Sequence, residues 1–259
     1  MPAMETLAHP LPRWYLVSLR PRGQHGPWRA AVRAAGGRVL ALSPWALVPR
    51  RDPASRRQLQ QALACPQVIF TSPAAVAAAH ALLPLDRCQP APAWLAVGQG
   101  TAQALQAVGA GPVAWPQRMD SEGLLALPAL QDIAGQAVGL VTAPGGRGTI
   151  PAGLALRGAI AVQADVYDRV ALTLPGRQRA RLRRLDAGSV LVLSSGQALE
   201  QLWMQLDDAG RDGLRRCLVV AASPRLAGQA RALGFARVLQ AASALPADLL
   251  AACPPLARC

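Results

Sequence analysis

The chain has 259 residues, 52% of them apolar and 16% charged, which excludes wholesale disorder and leaves room for two domains of ordinary size. Its 27 basic and 14 acidic residues give a net charge of +13, but every basic residue is arginine, and alanine, leucine, glycine and proline are abundant. Such compositional bias makes the basic balance a weak pointer to nucleic acid, and 4% aromatic residues with no aromatic-basic interleaving do not suggest a base-stacking platform.

The five cysteines, Cys65, Cys88, Cys217, Cys253 and Cys259, form no Cys-x-x-Cys pair and are odd in number, so neither a disulfide framework nor a zinc site is expected. Residues 1–13 lack the pattern of a signal peptide, and no run of about eighteen apolar residues follows. A soluble, cytoplasmic protein with no membrane contact is expected.

In chain order, short β-rich runs alternate with alanine- and leucine-rich helical stretches. Trp14 to Leu19 reads as a strand and ends in Arg20-Pro21-Arg22-Gly23. Ala35 to Leu40 reads as a helix end, a glycine C-cap and a strand. Val68 to Phe70 runs into Thr71-Ser72-Pro73, and Trp94 to Val97 into Gly98-Gln99-Gly100-Thr101. Val138 to Val141 runs into a loop that contains Gly145-Gly146-Arg147-Gly148, and Arg157 to Val162 repeats the helix-glycine-strand pattern. Val190 to Leu193 precedes Ser194-Ser195-Gly196, and Leu218 to Ala221 precedes Ala222-Ser223-Pro224.

The spacing from Ser72 to Ser195 is 123 residues, and both Arg20 to Pro144 and Gly98 to Ala222 span 124. Such regularity predicts an internal duplication. Strands alternating with helices predict an α/β protein of two doubly wound, flavodoxin-like parallel-sheet domains facing each other across a cleft. Ligands of such sheets bind beyond the carboxyl ends of the strands.

Loops that end a strand and open a helix expose unpaired N–H groups of partial positive charge, and small residues let an anion approach them. The expected contacts are Arg20, Thr71, Ser72, Gly98, Gln99, Thr101, Gly145, Gly146, Arg147, Ser194, Ser195, Gly196 and Ser223. For any single loop the plain role of helix N-cap is the stronger reading. Four anionic groups gaining about 1 kcal/mol each would total about 4 kcal/mol, a millimolar affinity, so arginines or domain closure must contribute more. His9, His25 and His80 stand in a tail, beside the first helix start and in an alanine-rich helix, and none forms a catalytic constellation. The arginine-dense stretch Arg177 to Arg184 reads as a solvated helix face.

Over about Trp14 to Ala252 the chain resembles the uroporphyrinogen-III synthase family. The resemblance is carried by Leu19-Arg20-Pro21, Phe70-Thr71-Ser72-Pro73-Ala74-Ala75-Val76, Ala96-Val97-Gly98-Gln99-Gly100-Thr101-Ala102, Ser121-Glu122-Gly123-Leu124-Leu125, Gly145-Gly146-Arg147, Asp165-Val166-Tyr167-Asp168-Arg169 and Val192-Leu193-Ser194-Ser195-Gly196. It implies a discontinuous domain of residues 1–42 and 170–259, a continuous one of 47–165, and extended linkers at 42–48 and 162–170 that allow hinge motion.

The implied reaction closes hydroxymethylbilane, a linear tetrapyrrole with eight carboxylates, with loss of water and inversion of the terminal ring. It needs no cofactor or metal and implies a monomer whose substrate comes from the preceding deaminase. Tyr167 matches a family tyrosine proposed as proton donor to the leaving hydroxide; its other reading is a linker residue hydrogen-bonded to the opposite domain. Several relatives carry arginine where Thr142-Ala143 stand, asparagine near Ala74, threonine at Gly100 and hydroxyl residues at Arg225 and Leu226, which leaves backbone donors as the steadier contacts. A non-catalytic regulatory or ligand-binding protein of the same fold is the alternative.

Overall fold

A computed structural model describes residues 14–88, 90–146 and 148–253. The first half contains, in order, β1 (Tyr15–Ser18), α1 (Gly26–Ala34), β2 (Arg38–Ala41), β3 (Trp45–Pro49), α2 (Pro53–Leu63), β4 (Gln67–Phe70), α3 (Pro73–Leu82), β5 (Ala93–Ala96), α4 (Gln99–Ala107), β6 (Val113–Ala114) and α5 (Ser121–Leu125). The second contains β7 (Ala137–Thr142), α6 (Thr149–Leu156), β8 (Ile160–Asp165), β9 (Tyr167–Ala171), α7 (Gly176–Leu182), β10 (Val190–Leu193), α8 (Gly196–Trp203), α9 (Asp208–Arg215), β11 (Leu218–Ala221), α10 (Pro224–Ala232), β12 (Val238–Gln240) and α11 (Pro246–Ala251). No described helix is long and apolar enough to cross a membrane.

The chain divides into two compact units, one built from residues up to Ala46 and from Ala171 onward, the other from Leu47–Val170. The first holds a five-stranded sheet of order β12-β11-β10-β1-β2, the second a five-stranded sheet of order β6-β5-β4-β7-β8. Every described pair within these two sheets is parallel. β3 and β9, the segments in which the chain leaves one unit and re-enters it, pair as a two-stranded sheet. Residues 162–165, expected in the return linker, belong to β8, whose ladder with β7 runs to the pair Thr142–Asp165.

The two sheets are one pattern read from different starting points. Numbered along the chain, the first unit has the flavodoxin-like order 2-1-3-4-5 and the second the order 3-2-1-4-5, but β1, β2, β10, β11 and β12 superpose in sequence on β7, β8, β4, β5 and β6. The offsets run from 122 residues (Tyr15 to Ala137) to 125 (Ala93 to Leu218). The glycines after α1 and α6, Gly36 and Gly158, both adopt left-handed φ, +74° and +71°, at the same point of the repeat.

The central strands are near-continuous apolar runs because helices cover both faces of a parallel sheet. Val190–Leu193 and Leu218–Ala221 are buried throughout. In the second unit alternation sorts the residues between two cores: Val68, Phe70, Trp94 and Ala96 join one, and Ile69, Leu95, Val138 and Leu140 the other. Helix α2 approaches β7 so closely that a Cβ on Gly139 would lie 2.2 Å from the Ala62 carbonyl oxygen. Gly139→Ala is therefore expected to destabilise the protein by about 3 kcal/mol, read as a lower urea midpoint at unchanged slope.

Candidate anion-binding strand ends

In the second unit the expected residues gather at the carboxyl edge, because β5, β4 and β7 are neighbours. Thr71 donates its amide to the Val141 carbonyl (3.2 Å), and its hydroxyl meets that of Thr142 (2.9 Å). Ser72 caps α3, its Oγ accepting the Ala75 amide at 3.1 Å. Pro73 occupies the first helical position and has no N–H, which leaves Ala74 as the only first-turn donor without an intrahelical role. Gly98 caps α4 without a side chain and lies against Met119, while Gln99 and Gly100 are exposed at the first two helical positions. Thr101 is buried, and its amide bonds to the Gly98 carbonyl at 3.0 Å. Gly145 and Gly148 take left-handed φ of +76° and +71°, and a side chain on Gly146 would meet only open space. Arg147 lies outside the described residues.

Tyr167 is held at this edge from three sides. The Val166 amide bonds to the Thr142 carbonyl (3.1 Å), and Arg50 grips Asp168 through two bonds of 2.9 and 2.7 Å. That ion pair raises the pKa of the guanidinium and lowers that of the carboxyl, the side-chain hydrogen bond being the main cause of each. The Tyr167 ring is only 3% exposed and belongs to the core with Val76 and Val166, while its hydroxyl lies 3.2 Å from Ser72 Oγ. This bond lies within one unit, because Ser72 and Tyr167 follow β4 and β8 of one sheet.

The first unit repeats the arrangement along β11, β10 and β1. Ser195 caps α8 by accepting the Ala198 amide and Ser223 caps α10 by accepting the Leu226 amide. Ser194 is exposed. Gly196 is buried beneath the Gln229 side chain, whose amide donates to the Gly196 carbonyl at 3.3 Å. The plain capping role thus holds for Ser72, Ser195 and Ser223; what each end offers an anion is the remaining first-turn amides.

Arg20 follows β1 in this unit. Burial lowers the pKa of its guanidinium, and among the described residues no carboxylate pairs with it. Beside it, His25 is 4% exposed and bonds through Nδ1 to Ser18 Oγ and through Nε2 to Ser43 Oγ, each at 2.9 Å. Desolvation, then the charges of Arg29 and Arg20, push its pKa down to about 4, so the ring is neutral at pH 7. Sequence reasoning placed His25 only beside a helix start; the signal available was a serine ending an otherwise apolar strand seven residues earlier.

Both switch points, where crossover connections diverge to opposite faces, are therefore built from small residues and amides: β1 against β10 in one unit and β4 against β7 in the other. This defines a duplicated doubly wound α/β protein whose strand ends open into capped helix N-termini. The family model described as uroporphyrinogen-III synthase HemD matches residues 26–251, and the chain belongs to that family. The uroporphyrinogen-III synthase of Salmonella typhimurium is 38% identical over 172 residues, 65% of this chain and 70% of that protein. That of Escherichia coli is 36% identical over 146 residues, 56% of this chain and 59% of the relative. A mutant uroporphyrinogen III synthase of Thermus thermophilus shares the fold with a TM-score of 0.61 at 20% identity, over 92% of this chain and 96% of that one. The Helicobacter pylori enzyme does so at 0.57 and 18%, over 82% and 90%.

Proposed function

We propose that the chain catalyses the reaction of its family, closing hydroxymethylbilane to uroporphyrinogen III with loss of water and inversion of the terminal pyrrole ring. The family match over residues 26–251 carries this reading. The charge distribution supports it: the unit containing Arg20 has 18 arginines against seven acidic residues, and the other has nine against seven. Compositional bias acts on the whole chain and does not explain that asymmetry, whereas a substrate with eight carboxylates gives it a use. The surplus draws the polyanion in, and first-turn amides of α3, α4, α8 and α10 receive its carboxylates.

The unaided linear tetrapyrrole closes without inversion, so the protein's task is to hold the two reacting ends in the productive geometry, catalysis by orientation. Hydroxide leaves a carbon poorly without a proton, and Tyr167 is the donor we assign. Ser72 Oγ already accepts from Ala75, and its own O–H can donate to the phenol oxygen. In that arrangement the phenolic proton is free for the departing oxygen and the phenolate left behind keeps a donor. The reading calls for neither metal nor cofactor, acts as a lyase, and fits a cytoplasmic monomer supplied by the preceding deaminase.

A coupled assay that generates hydroxymethylbilane in situ and separates the products as porphyrins tests it. The type III isomer is expected to dominate. Type I alone would show a protein of this fold that has lost catalysis and serves as a ligand-binding or regulatory module.

A further inference from the structure

We propose that His25 is a positioning residue that fixes Arg20 for a substrate carboxylate, an inference that rests on the synthase reading above. The ring bridges Ser18, which ends β1, and Ser43, which precedes β3, just beyond the point where the Leu42 amide bonds to the Ser18 carbonyl at 2.9 Å. Residues 18 and 25 flank the loop that carries Arg20, so the Nδ1 bond closes the base of that loop. The Arg22 amide bonds to the Trp45 carbonyl at 3.1 Å, and the Gln24 amide to the Pro21 carbonyl at 3.0 Å, fixing its tip.

His25 occupies the N-cap position of α1 yet makes no side-chain bond to its own helix. A serine or aspartate there would cap, as Ser72, Ser195 and Ser223 do. The imidazole is committed instead to two serine hydroxyls, one ring nitrogen donating and the other accepting. Arg50, Arg118, Arg183, Arg211 and Arg215 all pair with carboxylates, whereas partly buried Arg20 pairs with none among the described residues. A desolvated cation is costly to hold without a counter-charge, and here the loop that holds it is braced at the switch point of the sheet. The counter-charge is the ligand's.

The test is a mutant cycle of Arg20→Ala, His25→Ala and the double variant, with hydroxymethylbilane turnover and tryptophan quenching by uroporphyrin, an octacarboxylate, as readouts. Each single change is expected to raise KM and weaken uroporphyrin binding about tenfold, the worth of one charge-assisted hydrogen bond. The double variant is expected to match Arg20→Ala alone, which a merely structural histidine would not produce. Ser43→Ala, which removes one arm of the bridge at a half-buried residue, is expected to show a smaller change of the same kind and covers the case in which His25→Ala does not fold. Multiplied effects in the double variant, or unaltered KM and binding in both Ser43→Ala and His25→Ala, would overturn the role of His25. A parent chain that neither binds uroporphyrin nor forms type III isomer would instead overturn the synthase reading.

Discussion

Tyr167→Phe is expected to lower turnover ten- to a hundredfold, the modest end of general-acid effects, while leaving KM near its original value. The substitution removes a single oxygen from a ring that is already packed in the core, so the segment between β8 and β9 keeps its place through Val166 to Thr142 and Arg50 to Asp168. What is lost is the phenolic proton and the 3.2 Å contact with Ser72. Ser72→Ala separates these two. It costs the cap of α3, about 1 kcal/mol of stability, and leaves the phenol oxygen without its donor. A proton donor assisted by Ser72 predicts that Ser72→Ala slows turnover by less than Tyr167→Phe. Single-turnover rates of both variants, with urea midpoints as the control, decide it. Full turnover in Tyr167→Phe would remove the phenol from the chemistry and leave it as a strut.

Acid should destabilise this protein partly through one buried histidine. The ordinary imidazole pKa of 6.5 applies to the unfolded chain, and the folded value is about 4, lowered by burial and by Arg29 and Arg20. Between those values the unfolded state binds a proton that the folded state refuses, so stability falls as pH drops from 6.5 toward 4 and this contribution is complete above 6.5. The full difference corresponds to about 3 kcal/mol. Carboxylates add their own acid lability, but equally in a variant lacking the imidazole. The drop in unfolding free energy between pH 7.5 and 5 is expected to be about 2 kcal/mol smaller in His25→Gln than in the parent chain. Equal drops in the two proteins would mean that the ring protonates freely in the folded state.

The fold was legible in the sequence because its signals are local and repeated. Runs such as Val190–Leu193 followed by Ser-Ser-Gly announce a buried parallel strand and a helix start, and the near-constant offset announces that this happens twice. The helix-opening loops were legible for the same reason, since Ser72, Ser195 and Ser223 all cap the helices that follow them. That Thr101 would be buried was not legible, because three residues past the Gly98 cap the packing of the helix, not the loop, sets its exposure. Nor could spacing reveal that Tyr167 reaches Ser72, which lies 95 positions earlier and two strands away in the sheet.

By itself the sequence determined the α/β alternation, the duplication and the chemistry of the strand ends, because hydrophobic period, glycine conformation and helix capping act over a few neighbouring residues. Only tertiary structure decided which side chains are left over for function. Whether an arginine has a partner, whether a phenol or an imidazole is dry, and which hydroxyl faces it depend on strand order and on desolvation. Those are properties of the assembled sheet, and no short stretch of chain carries them.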